Sequence, residues 1–506
     1  MLATKYQDSV FASILIGLII ALVKLLLPIW VRAIKLSRIP LADKRPGEFL
    51  DTKRKQRMVQ NYRQILKDGL EKYPGGFQIA GETSRQIVIP PQYANFVNVD
   101  PRFTTAEPLD AFIKITFAGF EGSNSILGHT KSKDMFLTMM RSKINKNLGN
   151  LTEDLVDEAS AAISETWGLE NEWHELPLMS AVLSVVCRLS TRVFLGPDLC
   201  KNPDWLQLVV RYAINTFVCA RTLRRYPEVI ARIIQCFLKD CRVLRNQVAT
   251  ARRLLGPYIA KHLETVESAR RGIADMPRDG IVWMHETANG QPYDPVIIQL
   301  GVSVTAIHTT TDLLTQTILD IVAHPEIITP LRKEIEQVVA EDGWRNMTLQ
   351  KMKLLDSVVK ETQRLKPASG ATTGRYANEE ITLPSGLVIP KGAFVFTSMQ
   401  RMWDDEDYPD HEEWDGYRFY NKRKEPGKEN SYQLVSTCPE HLGFGHGLHA
   451  CPGRFLAAAE VKVALSYILM NYDLECATQE VPKPLINGME FMSNPEAKLR
   501  VRRRKL

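Results

Sequence analysis

The most informative segment of this chain is Phe444-Gly445-His446-Gly447-Leu448-His449-Ala450-Cys451-Pro452-Gly453-Arg454-Phe455. A single cysteine lies here in a glycine-punctuated loop, and an apolar pattern typical of a helix follows over residues 456–469. The N-terminus of a helix offers free backbone N–H groups and the positive end of the helix dipole, and both stabilise a thiolate. Glycine permits tight turns and lets a large flat group approach the backbone. The loop is therefore predicted to supply one thiolate ligand to a haem iron.

Two simpler interpretations compete with a haem ligand. Most cysteines are small buried hydrophobes, which suits Cys187, Cys219 and Cys236 in their apolar helical runs but not a cysteine surrounded by glycines. Zinc is the sharper alternative, because this tract holds several potential ligands: Cys438, His441, His446, His449 and Cys451. Their spacing does not repeat a usual zinc knuckle and no second Cys/His pair closes a finger, so haem is favoured and zinc stays open.

The loop resembles the haem-binding signature of the cytochrome P-450 superfamily, Phe-x-x-Gly-x-x-x-Cys-x-Gly, and meets every fixed position of it. The resemblance implies haem b as the cofactor and Cys451 as its axial ligand, a thiolate that favours cleavage of the O–O bond. It also implies further haem contacts from the same loop, namely Phe444, Gly445, His449 and Gly453.

The resemblance also implies cationic partners for the haem propionates. Arg375 lies in the connection where the family often places such an arginine, and His449 could donate to the same carboxylate. The family's Trp-x-x-x-Arg haem contact is not found in this sequence, so Arg141 or Lys143 is expected to replace it.

A second motif lies upstream, in a stretch with helix periodicity. Glu361 and Arg364 are one helical turn apart and share a face, which by itself usually means a solvated ion pair of small value. The order of the motifs makes this pair resemble the family's Glu-x-x-Arg element, completed here by Arg418, although Gly416-Tyr417 replaces the usual Pro-Glu. The resemblance implies a buried charge network that fixes the cysteine loop.

A third motif lies in residues 296–323, which are apolar enough to form a central buried helix. Hydroxyls there either bond back to the preceding turn or hold a water where the helix is locally widened. The run Ala306-Ile307-His308-Thr309-Thr310 resembles the family's oxygen-activation motif Ala-Gly-x-(Asp/Glu)-Thr, which implies catalytic roles for Ala306 and Thr310. Because Thr309 replaces the acid, it is expected to share proton delivery with Thr310, whereas His308 is expected to pack within the helix.

The composition narrows the class of protein. The 506 residues are 44% hydrophobic and 24% charged, as in ordinary globular proteins, and a net charge of +6 does not indicate nucleic-acid binding. Eight cysteines without paired spacing do not predict a disulfide framework in so long a chain. Helix-period patterns at residues 151–166, 178–193, 205–220, 229–248 and 252–272, with strand patterns at 86–89, 381–383 and 393–397, predict an α+β class that is predominantly helical with small segregated sheets.

The N-terminus predicts a membrane anchor. Residues 10–31 are apolar apart from Lys24 and long enough to span a bilayer, and several basic residues follow them. The positive-inside rule then predicts a short lumenal segment at residues 1–9, a Pro-containing linker at 32–48 and a cytosolic catalytic domain at 49–506. No small-x-small cleavage site follows the apolar run, so a signal anchor is preferred to a cleaved signal peptide. The glycosylation sequons at Asn150 and Asn346 are then expected to be unused.

The combined motifs look like those of fungal members of secondary metabolism. The resemblance implies a monooxygenase at the endoplasmic reticulum that hydroxylates or multiply oxidises a lipophilic terpenoid, indole diterpene or polyketide-derived substrate. Because the sequence has no nucleotide-binding glycine fingerprint, electrons are expected from NADPH–cytochrome P-450 reductase, with cytochrome b5 as a second candidate partner. A haem-thiolate isomerase or ring-rearranging enzyme is the main alternative, given the missing acid, and a zinc-binding membrane-anchored interaction protein is a third.

Overall fold

The computed structural model of the chain describes Leu27, residues 30–48, 50–81 and 84–105, Asp110 and residues 112–505. The helices are α1 Thr52–Gln60, α2 Tyr62–Lys72, α3 Ala94–Val99, α4 Glu121–Leu127, α5 Lys131–Met139, α6 Asn145–Trp167, α7 Leu178–Leu195, α8 Pro203–Leu223, α9 Glu228–Ile234, α10 Lys239–Arg270, α11 Gly280–Ala288, α12 Pro295–Ala323, α13 Ile328–Asp342, α14 Asn346–Lys351, α15 Lys353–Leu365, α16 Arg418–Lys422 and α17 Arg454–Asn471. A π-helical turn, Met140–Ile144, joins α5 to α6.

The strands are β1 Phe77–Ala80, β2 Arg85–Ile89, β3 Phe103–Thr104, β4 His174–Pro177, β5 Ala371–Ala377, β6 Ile381–Thr382, β7 Val388–Ile389, β8 Phe394–Ser398, β9 Tyr472–Cys476, β10 Leu485–Asn487, β11 Glu490–Met492 and β12 Lys498–Arg503. They form small separate sheets beside many helices. The structure confirms the predicted helix-dominated α+β class.

The described chain divides into two compact units. The first holds the described residues up to Thr105 together with Thr373–Ser398. Its main sheet has the strand order β1-β2-β8-β5-β3, in which β2 and β8 are parallel and place Ile87 opposite Val395. Their apolar side chains are buried, as expected for strands covered on both faces.

The second unit holds the remaining described residues and is mostly helical. Its core is built on α12, which is apolar on nearly every side and therefore buried along most of its length. Leu314 and Ile318 of α12 share one cluster with Val185 of α7 and Leu465 of α17. A sheet in the order β4-β12-β9 and the β10–β11 hairpin complete this unit.

Helix α12 begins where the sequence supplies two helix-start signals. The side chain of Asp294 accepts a hydrogen bond from the backbone N–H of Ile297 at 3.1 Å, and Pro295 occupies the first helical position. The helix ends at Ala323, shortly before Pro325, which cannot continue a helical ladder. These end signals fix the position of the hydroxyl-rich segment within the core.

One predicted helix boundary is wrong. Residues 229–248 and 252–272 were expected to be separate helices, but α10 runs unbroken from Lys239 to Arg270, and the break lies at residues 235–238. The guanidinium of Arg245 donates to the carbonyls of Gln235 at 3.1 Å and Cys236 at 3.4 Å, which satisfies backbone groups at the break. Cys236 is exposed there and is not the buried small hydrophobe that its apolar neighbours predicted.

Most of the predicted membrane anchor, residues 10–31, lies outside the described residues. Within the described part, residues 30–37 are helical, and Trp30, Val31 and Ile34 are exposed. Among the residues that the structure describes, one helix, α7, is long and apolar enough to cross a membrane. It is 72% buried inside the protein, as expected for a core helix.

Candidate functional site

The cysteine loop closes on itself through its backbone. The N–H of Cys451 donates to the carbonyl of Phe444 at 2.8 Å, so the two ends of the loop are tied together. Gly445 and Gly447 have φ angles of 69° and 67°, which side-chain-bearing residues rarely adopt. The predicted need for glycine is therefore met at these two positions, and a short 3₁₀ turn, Gly447–His449, leads into the cysteine.

Cys451 lies just before the first turn of α17, where the sequence predicts it. Burial raises the pKa of its thiol, while the backbone N–H groups of Gly453 and Arg454 and the charge of Arg454 act to lower that pKa. The donors that would stabilise a thiolate are in place, but in the protein alone burial outweighs them. Because the thiolate is the form that binds a metal, this donor set fits a cation at the sulfur, as a haem iron would provide.

Arg454 also holds the cysteine in position, a role that the sequence analysis did not assign. Its Nη1 donates to the carbonyl of Cys451 at 2.9 Å and its Nε donates to the carbonyl of Val435 at 3.1 Å. The signal that could have revealed this role is a cation shortly after the cysteine at a helix start, where it faces the upstream loop.

The structure brings Glu361, Arg364 and Arg418 together. Arg364 forms a bidentate pair with the Glu361 carboxylate, with both N–O distances at 2.8 Å, and Arg418 Nε donates to the same carboxylate at 3.0 Å. Glu361 and Arg364 are fully buried. The remaining guanidinium N–H groups donate to backbone carbonyls, including that of Met402 at 2.8 Å. A buried ion pair is stable only when its remaining N–H groups also form hydrogen bonds, as they do here.

Helix α15, which carries this network, also braces the segment that leads into the cysteine loop. The imidazole Nε2 of His441 lies 3.3 Å from the carbonyl of Lys360 in α15. The N–H of Leu442 donates to the sulfur of Met402 at 3.4 Å, and the carbonyl of Met402 accepts from Arg364 of α15. A Cβ at Gly443 would overlap the side chain of Gln363. The charge network therefore supports the loop through contacts of its own helix and through Met402, which Arg364 holds.

The hydroxyl groups of the two candidate threonines in α12 differ in their hydrogen bonding. Thr309 donates to the carbonyl of Thr305 at 3.0 Å, which is the back-bonded arrangement. Thr310 is buried, and its hydroxyl has no hydrogen bond to any residue that the structure describes. Helix α12 is regular throughout, so the expected local widening is absent from this described segment. Ala306 is partly buried one turn before Thr310.

His308 packs as the sequence analysis expected. Its ring lies edge-on to Phe217 of α8, with ring centroids 6.4 Å apart, and burial lowers the pKa of its imidazole. The same stretch of α8 presents further exposed apolar side chains, Ile214 and Val218. An apolar surface on α8 therefore lies beside the motif segment of α12.

The candidate partners for haem carboxylates differ in their surroundings. Lys143 forms an ion pair with Glu286 at 2.7 Å, whereas Arg141 donates to the carbonyl of Leu448 in the cysteine loop at 3.0 Å. His449 is exposed in the same loop. Of the two predicted substitutes for the missing Trp-x-x-x-Arg contact, Arg141 is the one at the loop.

Arg375 lies in β5, in the first unit. It is 4% exposed, and its Nη2 lies 3.4 Å from the side-chain oxygen of Asn98. Burial lowers the pKa of Arg375 to about 10, and no carboxylate of a described residue forms an ion pair with it. A buried guanidinium with neutral partners fits an anionic ligand group, and its role toward a propionate stays a prediction.

The zinc alternative finds no support in the described part of the chain. No group of three or more His, Cys, Asp or Glu side chains is arranged there to hold a metal ion. His441 is buried against the Lys360 carbonyl, while His449 is exposed. The potential zinc ligands His441 and His449 therefore lie in different environments, one buried and one exposed.

Comparison with known proteins identifies the family. The family profile described as Cytochrome P450 matches residues 58–501. The cytochrome P450 monooxygenase adrA of Penicillium rubens is 39% identical over 92% of this chain and 92% of its own length. The cytochrome P450 monooxygenase esdpI of Penicillium shearii is 36% identical over 99% of this chain and 98% of its own. The cytochrome P450 monooxygenase TRI1 of Fusarium sporotrichioides is 39% identical over 92% and 85%, respectively. The match confirms the resemblance seen in the cysteine loop, and the chain belongs to the cytochrome P450 family as a haem-thiolate monooxygenase.

Proposed function

We propose that this protein is a membrane-anchored monooxygenase of the endoplasmic reticulum that acts on a lipophilic secondary metabolite. It would take electrons from NADPH through a separate reductase and hydroxylate, or oxidise in several steps, a terpenoid, indole diterpene or polyketide-derived scaffold. The observation that carries the proposal is the Cys451 sulfur, which faces backbone N–H donors at the start of α17 in a closed glycine loop. Bound haem supplies the oxidative chemistry at this ligand.

The residues of this chain have separate tasks in the proposed reaction. Cys451 binds the iron, while Arg454 and the α15 network hold its loop in position. Thr310 has a free hydroxyl that can hold a water and pass a proton, whereas the Thr309 hydroxyl is engaged with the Thr305 carbonyl. Proton delivery by a positioned group depends on such a hydrogen bond being available.

The substrate class is supported by the surface of α8. Ile214, Phe217 and Val218 are apolar and 40–47% exposed, and Phe217 contacts the motif helix α12 through His308. Apolar walls with a few hydroxyl groups suit a bulky lipophilic molecule. The exposed Trp30, Val31 and Ile34 at the end of the predicted span support an anchor in the membrane.

The first experiment is a reduced carbon-monoxide difference spectrum of membranes that contain the full chain. A strongly red-shifted Soret band is expected, and Cys451→Ala should abolish it because the thiolate is lost. Cys438→Ala is the matched control, since this cysteine lies in the same tract and its backbone bonds to His441. An unchanged spectrum in Cys451→Ala would refute the ligand assignment.

A second experiment separates oxygenation from isomerisation. The enzyme is given a reductase, NADPH, a panel of lipophilic scaffolds and isotopically labelled oxygen gas. One labelled oxygen atom in the product is the expected result. A product formed without oxygen or NADPH consumption would point to the isomerase alternative.

A further inference from the structure

Two cysteines outside the haem site lie against each other. Cys219 is near the end of α8 and Cys241 is in the first turn of α10, and their sulfur atoms are 3.0 Å apart. Both residues are at most 1% exposed. The hydroxyl of Thr222 also donates to the Asp240 carboxylate at 3.1 Å, so the two helices are held close at this point.

The surroundings shift the pKa values of the two thiols in opposite directions. The hydrogen bond with Cys219 lowers the pKa of the Cys241 thiol, burial opposes this, and the charge of Arg245 lowers the pKa further. The pKa of Cys219 is raised, first by its hydrogen bond with Cys241 and second by burial. A lowered pKa favours the thiolate, which is the nucleophilic form, and the partner sulfur at 3.0 Å is positioned to resolve an oxidised intermediate.

We propose that Cys219 and Cys241 form a reversible disulfide that clamps α8 to α10. Hydrogen peroxide is the oxidant. The Cys241 thiolate attacks it, so that an S–O bond forms as the O–O bond breaks, and the departing hydroxide takes up a proton to become water. Cys219 then loses its proton and attacks the Cys241 sulfur, and the S–O bond breaks with release of a second water. Two thiols are thereby oxidised and one peroxide is reduced to two waters.

The clamp would act on the segment between the two helices. The cross-link closes residues 219–241 into a loop that contains α9, whose Val229 and Ile233 are 73% and 61% exposed. Helix α8 also carries Phe217, which contacts His308 in the motif segment of α12. Because a cross-link restricts the open forms of the loop that it closes, the oxidised enzyme should open this region less often.

The test treats the full-chain holoenzyme with stepwise, near-stoichiometric hydrogen peroxide, followed by alkylation in denaturant and peptide mapping. The expected result is the loss of two of the eight free thiols, a cross-linked peptide that joins Cys219 to Cys241, and full recovery with dithiothreitol. Cys236→Ser is the matched control, because this cysteine is exposed in the same segment. The Cys236→Ser protein should still form the cross-link between Cys219 and Cys241. Cys219→Ser and Cys219→Ala should both fail to form it.

Two outcomes would overturn the proposal. The first is a wild-type enzyme that keeps both thiols at peroxide levels that already oxidise Cys236. The second is a cross-linked enzyme whose residues 224–238 exchange amide hydrogens as fast as the reduced form. Slower exchange in the oxidised wild type, with no change in Cys219→Ser after the same treatment, supports the clamp.

Discussion

At the scale of single residues, adjacent threonines in α12 have different partners. Thr309 uses its hydroxyl on the Thr305 carbonyl, while the Thr310 hydroxyl is unpaired among the residues that the structure describes. The resemblance matched Thr310 to the threonine of the family motif, but the sequence left Thr309 as a second candidate for the same role, because it could not show which hydroxyl bonds back to the helix. The structure therefore favours Thr310 as the water-holding group.

We expect Thr310→Ala to lower the product formed per oxygen consumed and to raise the hydrogen peroxide released. The loss should be roughly 100-fold, the lower end of what one positioned proton donor contributes. Thr309→Ala is the control and should change coupling little. The measurement is oxygen uptake, peroxide and product in the same assay. If Thr309→Ala lowers the product formed per oxygen consumed and Thr310→Ala does not, then Thr309 is the residue that delivers the proton.

A second residue-scale feature is the buried carboxyl of Glu460 in α17. Burial raises its pKa from 4.5 to about 8, and its side chain accepts a hydrogen bond from the Ser190 hydroxyl at 2.9 Å. The folded protein therefore holds this proton more tightly than the unfolded chain does. The stability that the protonated Glu460 carboxyl contributes is fully present below its pKa in the unfolded chain. It is lost as the pH rises toward its pKa in the folded protein.

Glu460→Gln should remove this part of the pH dependence. Between about pH 5 and pH 8 the free energy of unfolding of the wild type should fall more steeply than that of the variant, whose side chain does not titrate. Urea unfolding across this range provides the measurement, with the exposed Glu336→Gln as control. Parallel pH profiles for wild type and Glu460→Gln would show that the carboxyl does not titrate as the structure indicates.

At the scale of elements, α15 links the charge network to the cysteine loop. Its Arg364 and Glu361 are fully buried, and the neighbouring Lys360 accepts the His441 imidazole contact through its carbonyl. Removing one member leaves the other buried and uncompensated. Damage to this helix should therefore reach the haem ligand.

Glu361→Gln should lower the free energy of unfolding by about 3–5 kcal/mol and reduce haem content, because both guanidiniums lose their shared carboxylate. The exposed pair of Glu267 and Arg270 offers a matched control, and Glu267→Gln should cost less than about 1 kcal/mol. Urea denaturation and the haem-to-protein absorbance ratio measure the two effects. Equal stability of the two variants would contradict a supporting role for the network.

At the scale of the whole molecule, the N-terminal segment is expected to attach the enzyme to the membrane. Deleting residues 1–31 should release the protein into the soluble fraction and leave the haem spectrum intact, since the cysteine loop and its support lie far along the chain. Carbonate extraction and sedimentation of full-length and shortened chains give the measurement. Tight membrane binding by the shortened chain would reveal a second attachment surface.

Much of the fold followed from local patterns. The apolar run of α12, the strands near residues 86–89 and 393–397 and the helix after Cys451 could be predicted because period and end signals act within short windows. The break between α9 and α10 could not, because the same helix period continues on both sides and the break depends on Arg245 from the following helix.

The sequence by itself predicted Cys451 as the haem ligand, because one cysteine in a glycine-rich loop before a helix has few other uses. It also predicted the charge network of Glu361, Arg364 and Arg418 from the order of the motifs. The tertiary structure decided what depends on contacts between distant segments. It assigned the Thr309 hydroxyl to a backbone carbonyl, brought Arg141 to the cysteine loop, and placed the Cys219 and Cys241 sulfurs 3.0 Å apart. Such contacts arise from the packing of helices, which no local pattern encodes.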